Sequence, residues 1–250
     1  MIPHEKRIGD TLFAKYFIRG CDGFVTMSKA VMNDLNQFTA SPYKKYLLHP
    51  LYTSFGEKLN KEESRKTLGL NATDNIVLFF GLIRHYKGLD MLLEAFAELK
   101  KYPNTKLVIA GEFYEDKQPY IELIEKHQLQ NQVIIHAKFI ANEDVKLYFS
   151  AADLVALPYR TATQSGVTQV SFHFEVPTLV TNVGGLGEII PHNVAGYVVE
   201  PNPTAIANSI EDYFINHRSV LFTEGMKHEK QKYDWKIFVD EVSKLYSSIT

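Results

Sequence analysis

Apolar runs of strand length alternate with helical stretches from residue 75 onwards, and this alternation limits the fold more than any other feature of the sequence. Six runs have the length and composition of strands: 76–80, 106–110, 133–136, 154–157, 178–181 and 197–199. The stretches between and after them have helical spacing, at 89–101, 119–127, 143–150, 167–174, 187–190 and 204–214. Almost continuously apolar strands that alternate with helices are typical of a parallel sheet covered on both faces. The sequence therefore predicts an α/β fold with a Rossmann-like, doubly wound parallel sheet.

The pattern on either side of this sheet divides the chain into three parts. Residues 1–48 contain two helical and two strand-like stretches, with Ser28 as the cap of the second helix. These elements are too few to bury their own apolar side chains, so either they pack on the rest of the chain or they are the tail end of an incomplete N-terminal domain. Residues 49–233 form the sheet domain. Residues 234–250 read as a closing amphipathic helix with Trp235 and Phe238 on its apolar face.

The composition is that of a soluble globular protein, with 45% hydrophobic and 22% charged residues among 250. The 27 basic and 29 acidic side chains give a formal charge of −2, which argues against general binding of nucleic acid. The single cysteine, Cys21, excludes an internal disulfide. No apolar run approaches the roughly 20 residues that a membrane-spanning helix requires. We therefore expect a cytoplasmic protein.

The loop after the first strand of the sheet carries two cations between two glycines. Gly81 follows the strand directly, Arg84 and Lys87 stand three residues apart, and Gly88 opens the next helix. A glycine-rich turn that leads into a helix brings backbone N–H groups and the positive helix end together, and this favours an anion such as phosphate. The alternative is a tight turn whose cations are merely solvated.

Ligands of open parallel sheets bind beyond the carboxyl ends of the strands, and four further loops lie at that edge. Candidate residues in them are Gly111 after the second strand, Lys138 and Phe139 after the third, Thr163, Gln164, Ser165 and Gly166 after the fourth, and Gly184, Gly185, Gly187 and Glu188 after the fifth. The hydroxyls and glycine of the fourth loop could form a second anion cradle, although a simple helix cap would look the same. The glycines of the fifth loop could admit a ligand or form only a tight turn. Together the loops favour a phosphorylated ligand.

Several other site classes are excluded. No loop has the Gly-x-Gly-x-x-Gly spacing of a dinucleotide site after the first strand, and the chain has no Gly-Lys-Ser/Thr phosphate loop. The chain has no Asp-x-Asp pair, and its histidines lack metal-ligand spacing. We therefore predict no metal, because two cations and helix ends could neutralise a diphosphate without one.

Four motifs in order resemble those of group 1 (family 4 type) glycosyltransferases. The first, Gly81-x-x-Arg84-x-x-Lys87-Gly88, is similar to the donor-binding signature of that family. The others occupy 107–111, 148–158 and 177–188, and the last ends in the family's Gly-Gly-x-x-Glu pattern. The resemblance covers residues 49–250.

The resemblance implies the GT-B architecture, in which two Rossmann-like domains face a cleft and the C-terminal domain binds a nucleotide sugar without metal or other cofactor. It implies that Arg84 and Lys87 hold the diphosphate and offset its charge as the glycosidic bond breaks, with retention of configuration. The donor-binding candidates are Gly81, Gly111, Lys138, Phe139, Thr163, Gln164, Ser165, Gly166, Gln169, Gly185 and Glu188. The acceptor would be a saccharide or a lipid-linked glycan, as is usual in the family.

Two departures from the family pattern affect these expectations. The family's Glu-x7-Glu pair falls on Ala162 and Val170, and neither residue is acidic. Most of the acceptor domain is also missing, because residues 1–48 resemble only its last part. Within them, residues 1–7 with His4 resemble a cleft-facing segment. The closing helix resembles one that crosses back to the acceptor domain. We expect this chain alone to bind the donor but to transfer sugar poorly or not at all. We also expect it to self-associate through exposed apolar surface. Any contact with the inner face of the membrane would be made by the missing half. The alternatives are a non-catalytic nucleotide- or partner-binding module and a sugar-nucleotide enzyme of GT-B shape, such as an epimerase.

Overall fold

The computed structural model describes residues 9–249, and the candidate segment with His4 lies outside them. The N-terminal segment consists of helix α1 (Asp10–Arg19), strand β1 (Phe24–Thr26), helix α2 (Lys29–Asn36) and strand β2 (Lys44–Tyr46). The two strands pair in parallel as a small sheet of their own. Ser28 caps α2 as its position indicates, because its hydroxyl oxygen accepts a hydrogen bond of 3.2 Å from the Val31 N–H.

Six strands form one parallel sheet, and this confirms the predicted fold class. In chain order they are β3 (Asn75–Phe80), β4 (Thr105–Ala110), β5 (Val133–His136), β6 (Leu154–Leu157), β7 (Thr178–Thr181) and β8 (Gly196–Val199). They lie in the order β5-β4-β3-β6-β7-β8. Successive strands are added on one side of β3 up to β5 and then on its other side from β6 onwards, as in the Rossmann arrangement. All neighbours are parallel, so the loops at the carboxyl ends of the strands meet at one edge.

Helices cover both faces of the sheet because the strands are apolar on both sides. The helices after the small sheet are α3 (Lys61–Thr67), α4 (Leu89–Glu98), α5 (Gln118–Lys126), α6 (Asn142–Ala151), α7 (Gly166–Phe174), α8 (Pro203–Ile215), α9 (Ser219–Lys230) and α10 (Trp235–Ile249). Alternate residues of β3 enter different cores. Val77 and Phe79 pack with α4, α5 and α8, whereas Ile76 and Leu78 pack with α6 and α7. Each face is therefore sealed by its own set of helices.

Two elements differ from the sequence prediction. The helix predicted at 187–190 is a single 3-10 turn, Leu186–Glu188. Helix α9 was not predicted, because only Phe222, Gly225, Met226 and Glu229 of its twelve residues are buried and residues 224–232 are strongly charged. Gly225 lets α9 approach the sheet closely, since a Cβ there would lie 1.9 Å from the Val194 carbonyl oxygen.

The closing helix α10 contacts the N-terminal segment. Lys45 and Glu241 form a salt bridge, and the Ile249 side chain lies against Gly23. The Trp235 indole N–H donates to the Leu51 carbonyl oxygen over 2.9 Å. This bond fixes the start of the helix to the connector, the stretch from residue 49 that leads to α3. None of the residues of α10 is buried. No helix within residues 9–249 has the length and apolar character needed to cross a membrane.

Candidate active site

The loop between β3 and α4 is held against its neighbours by three glycines. A Cβ on Gly111 would lie 2.1 Å from the Gly81 carbonyl oxygen, so these two residues touch through their backbones. A Cβ on Gly88 would lie 2.0 Å from the Pro158 carbonyl oxygen, and the φ of +69° at Gly88 favours glycine in any case. The loops after β3, β4 and β6 therefore meet in van der Waals contact.

Lys87 is buried at this meeting point. The residue is 8% exposed, and its Nζ lies 3.2 Å from where a Gly81 Cβ would stand. Burial and then the charge of Arg84 lower the pKa of Lys87 to about 8. The Tyr159 ring lies beside the ammonium, with its centroid 5.7 Å from Nζ. No carboxylate of residues 9–249 forms an ion pair with Lys87, so this buried cation lacks a counter-charge within the described chain.

Arg84 lies beside Lys87 and is partly exposed. Its guanidinium carbon sits 4.4 Å from the centroid of the Tyr114 ring, a stacking contact that holds the side chain at the edge of the sheet. Its charge is close enough to disfavour the protonated form of Lys87. Two cations that repel one another at a glycine-lined turn form a site that an anion would stabilise.

The loop between β6 and α7 is fixed on both sides. Ser165 caps α7, since its hydroxyl oxygen accepts from the Val167 N–H over 3.3 Å, and it shares a hydrogen bond of 3.2 Å with the buried Tyr159 hydroxyl. Arg160 donates its backbone N–H to the Tyr86 carbonyl oxygen over 2.7 Å, and its side chain pairs with Asp90. The first turn of α7 is thereby held beside the loop that carries Arg84 and Lys87, which we call the cation loop.

The start of α7 borders two different environments. Val167 faces the cations, with its Cγ2 3.8 Å from the position of a Gly81 Cβ. Gly166 faces the connector, where a Cβ would lie 3.2 Å from the Tyr52 ring. The candidates Gln164, Ser165, Gly166 and Gln169 all border a cavity on this second side, together with Tyr52. The structure thus places these residues next to the cation loop rather than in it.

The glycine loop after β7 packs against the preceding loop and the N-terminal segment. Gly184 has a φ of +51°, and a Cβ there would overlap the Ala162 carbonyl oxygen at 1.6 Å. A Cβ on Gly185 would lie 2.3 Å from the Thr163 carbonyl oxygen and 2.9 Å from the Ser28 side chain. These glycines serve close packing of three chain segments.

Glu188 meets the N-terminal segment directly. One carboxylate oxygen accepts a hydrogen bond of 3.1 Å from the Lys29 N–H in the first turn of α2. A carboxylate at a helix N-terminus is stabilised by the helix dipole. Burial, followed by the charge of Glu188, raises the pKa of Tyr46.

Lys138 and Phe139 follow β5 and are exposed, with Phe139 at 70%. They lie at the same sheet edge, at its outermost strand. Behind them the His136 ring shares a hydrogen bond of 2.9 Å with the Tyr148 hydroxyl, and burial lowers the pKa of His136.

The two positions at which the family carries acids are apolar and buried here. Ala162 is 5% exposed and Val170 is also 5% exposed, and both pack in the core on the α6–α7 face of the sheet. A carboxylate buried at either position would be costly unless a partner or ligand met its charge. The site therefore differs chemically from one built on a Glu pair.

Sequence reasoning missed three aromatic residues that shape the site. Tyr114 supports Arg84, Tyr159 contacts both Lys87 and Ser165, and Tyr52 covers the start of α7. Tyr114 and Tyr159 stand in loops at the carboxyl edge, so their position was a usable signal. Tyr52 lies in the connector, and no local pattern links it to α7.

The sequence profile of the glycosyl transferases group 1 family matches residues 60–225, which is two thirds of the chain. The chain belongs to the group 1 glycosyl transferases. This glycosyl transferase is 28% identical over 196 residues to an uncharacterised glycosyltransferase of Methanocaldococcus jannaschii, covering 77% of this chain and 49% of the relative. It is also 24% identical over 203 residues to the D-inositol 3-phosphate glycosyltransferase of Corynebacterium urealyticum, covering 78% and 48%.

Solved structures share the fold of this glycosyl transferase. Sucrose-phosphate synthase of Thermosynechococcus elongatus superposes with a TM-score of 0.83 at 20% identity, covering 98% of this chain and 62% of that one. Anabaena HepE, solved in complex with UDP and glucose, superposes with a TM-score of 0.80 at 20% identity, covering 95% and 66%. These neighbours have the GT-B architecture, as expected from the motifs. The chain spans about half the length of the first curated relatives that it matches.

Proposed function

We propose that this chain is the donor-binding portion of a glycosyltransferase that takes its sugar from a nucleoside-diphosphate sugar. The observation that supports this most strongly is Lys87, a buried ammonium beside Arg84 that no carboxylate of the described chain neutralises. A dianionic or trianionic diphosphate is the counter-charge that such a site needs. Family membership supports sugar transfer, and the UDP complex of HepE supports a nucleotide as carrier.

In the proposed reaction the bond between the anomeric carbon and the β-phosphate oxygen breaks, and its electron pair stays on the phosphate. Lys87 and Arg84 offset the charge that develops there. The acceptor hydroxyl attacks the anomeric carbon from the side that the phosphate leaves, forms the new C–O bond and gives its proton to the departing phosphate. The configuration is then retained. No metal or other cofactor takes part in this proposal.

Calorimetric titration with UDP, GDP and the corresponding nucleosides tests the donor site. We expect a diphosphate to bind and its nucleoside not to bind, and Arg84→Met and Lys87→Met to weaken binding at least tenfold each, since each removes a charge-assisted contact. Lys100→Met is the matched control, because Lys100 is exposed and follows α4, away from the carboxyl ends of the strands. A folded chain that binds no nucleotide would refute the proposal.

A second candidate function is nucleotide binding without transfer. The specific observation that favours it is the pair of buried apolar residues, Ala162 and Val170, at the family's acidic positions. Product analysis after incubation with a nucleotide sugar separates the candidates. Hydrolysis or transfer supports the enzyme, conversion into an isomeric nucleotide sugar supports an epimerase, and tight binding without turnover supports a binding module. Because the chain spans about half of its relatives, we expect little transfer by this chain alone.

Partners and location follow from the same proposal. We expect a saccharide or lipid-linked acceptor, a cytoplasmic setting, and membrane contact, where it occurs, through the acceptor half. Helix α1 carries an apolar face, Leu12, Phe13, Tyr16 and Phe17, whose side chains are 61–80% exposed. Such a surface favours association of two copies. Light scattering of the chain and of Phe13→Ser tests this, and a wild-type chain that stays monomeric at high concentration would contradict it.

A further inference from the structure

The cation loop and the loop after β6 face each other at the boundary between β3 and β6. These two strands are neighbours in the sheet, although β4 and β5 come between them along the chain. In parallel sheets a crevice opens between the loops at such a boundary. A contact that spans the crevice therefore fixes where the cation loop stands.

Pro158 and Tyr159 pack on the turn that carries Lys87. The Pro158 carbonyl oxygen lies so close to Gly88 that a Cβ there would be only 2.0 Å away. The Tyr159 ring meets the Tyr86 ring edge to face, with 5.8 Å between the two centroids. The same Tyr159 ring lies beside the Lys87 ammonium. The turn is thus supported from one side by consecutive residues of a different loop.

Arg160, the next residue, adds two polar contacts to this packing. Its backbone N–H donates to the Tyr86 carbonyl oxygen over 2.7 Å and ties the turn to the β6 loop through the main chain. Its guanidinium pairs with the Asp90 carboxylate in the first turn of α4. Asp90 forms no other ion pair within residues 9–249, and its second carboxylate oxygen, Oδ1, is buried there without a hydrogen-bond partner. The Arg160 side chain is therefore the counter-charge of Asp90.

The cation loop needs such a hold because its own charges repel each other. Arg84 lies close enough to disfavour the charged form of Lys87, and Lys87 has no carboxylate partner within the described chain. Before an anion binds, this repulsion and the cost of burying an ammonium favour a loop that turns Lys87 towards water. Contacts with another loop oppose that movement. Cations that are already in place bind a diphosphate with less loss of free energy to reorganisation.

We propose that Arg160 and Asp90 are positioning residues, whose ion pair holds the cation loop in the conformation that binds a diphosphate. The pair spans the crevice and does not touch the ligand. It also neutralises Asp90, whose charge would otherwise repel the phosphates. The inference rests on the function proposed above and adds what keeps the Lys87 ammonium in place. Two other roles make different predictions: direct contact of Arg160 with the phosphate, and a contribution to the stability of the fold alone.

Arg160→Met, Asp90→Ala and the corresponding double variant form the test, with Arg160→Lys as the conservative substitution. All of them keep the main-chain bond to Tyr86, because only side chains change. The pair is partly exposed, and ion pairs of this kind contribute little to folding, so we expect the variants to fold. Glu224→Ala and Lys227→Met are the matched controls, because these two residues form an exposed ion pair on α9.

Calorimetric titration with UDP and urea unfolding are carried out on every variant. We expect Arg160→Met and Asp90→Ala each to weaken UDP about three- to tenfold, as is typical for one lost polar contact. The double variant should bind no more weakly than either single variant, because both changes break the same contact. Arg160→Lys should stay within about twofold of the wild type, since a lysine still pairs with Asp90. None of the variants should lose more stability than the α9 controls.

Asp90→Ala separates positioning from direct contact. If Arg160 touched the phosphate, its release from Asp90 would maintain or raise the affinity for UDP, and that result overturns the proposal. Additive losses in the double variant overturn it as well, because they show two independent contacts. A loss of affinity that runs parallel to a loss of stability, and that Arg160→Lys does not restore, assigns the pair to the fold alone. A wild-type chain that binds no UDP refutes the donor site itself, and this inference with it.

Discussion

Lys87 carries a charge into a buried position, and we predict that Lys87→Met makes the fold more stable while it weakens nucleotide binding. Burial, together with Arg84, lowers the pKa of this ammonium from 10.5 to about 8. The folded chain therefore binds the proton more weakly than the unfolded chain, and the charged form destabilises the folded state. Methionine has a similar length without the charge and adapts to irregular space.

The two pKa values set the size of the effect. At about 1.4 kcal/mol for each pKa unit, they correspond to about 3 kcal/mol in the free energy of unfolding at pH 7. The destabilisation is fully present below the folded-state pKa of about 8. It shrinks as the pH rises from there towards 10.5, and it has roughly halved at pH 9.5. The Tyr159 ring, 5.7 Å from Nζ, attracts the ammonium and makes this figure an upper bound.

Urea unfolding of the wild-type chain and of Lys87→Met at pH 7 and pH 9.5 measures the effect. We expect the variant to be the more stable protein at pH 7, by up to about 3 kcal/mol, and the difference to be about half as large at pH 9.5. Lys100→Met controls for the loss of an exposed charge and should change little. A Lys87→Met chain that is less stable than the wild type at pH 7, or a difference that does not depend on pH, would refute the reasoning.

Three further predictions concern the loops of the site. UDP affinity, measured by calorimetry, should fall about tenfold between pH 7 and pH 9, because Lys87 with a pKa of about 8 must be protonated to bind the diphosphate. The Lys87→Met variant should show no such fall. Gly184→Ala should lower the unfolding temperature far more than Gly69→Ala. Both glycines have positive φ, but only at Gly184 would a Cβ meet a carbonyl oxygen at 1.6 Å. Equal losses would show that backbone strain from the positive φ explains the whole effect. Glu188→Gln should destabilise the chain by about 0.3–1 kcal/mol in urea unfolding, because it removes the negative charge that lies against the N-terminus of α2. No change would mean that the contact with Lys29 contributes nothing to stability.

The sheet could be predicted from the sequence because each strand is short, apolar and bounded by polar turns. The strands β5, β6 and β7 end where the apolar runs end, and β3, β4 and β8 begin one residue earlier than those runs. The order of the strands was less predictable, because parallel pairing with helical crossovers leaves several orders open and the pairing of β3 with β6 joins residues as distant as Val77 and Leu154. Helix α9 could not be predicted in addition because Gly225, a poor helix former, stands in its middle. Only the structure shows that this glycine is needed for the close contact with Val194.

The site was only partly predictable. The cation loop was visible because Arg84 and Lys87 stand between glycines at the end of a strand. The burial of Lys87 was not visible, since the Tyr159 ring that lies beside its ammonium belongs to another loop. The cavity that Gly166 and Tyr52 border could not be foreseen either, because a one-dimensional pattern does not show that Tyr52 of the connector lies on Gly166.

The position of the diphosphate in a crystal structure of this chain with UDP tests the central proposal most directly. We predict phosphate oxygens within hydrogen-bond distance, about 3 Å, of both the Lys87 ammonium and the Arg84 guanidinium. A diphosphate bound elsewhere at the sheet edge, with neither cation in contact, would contradict the account.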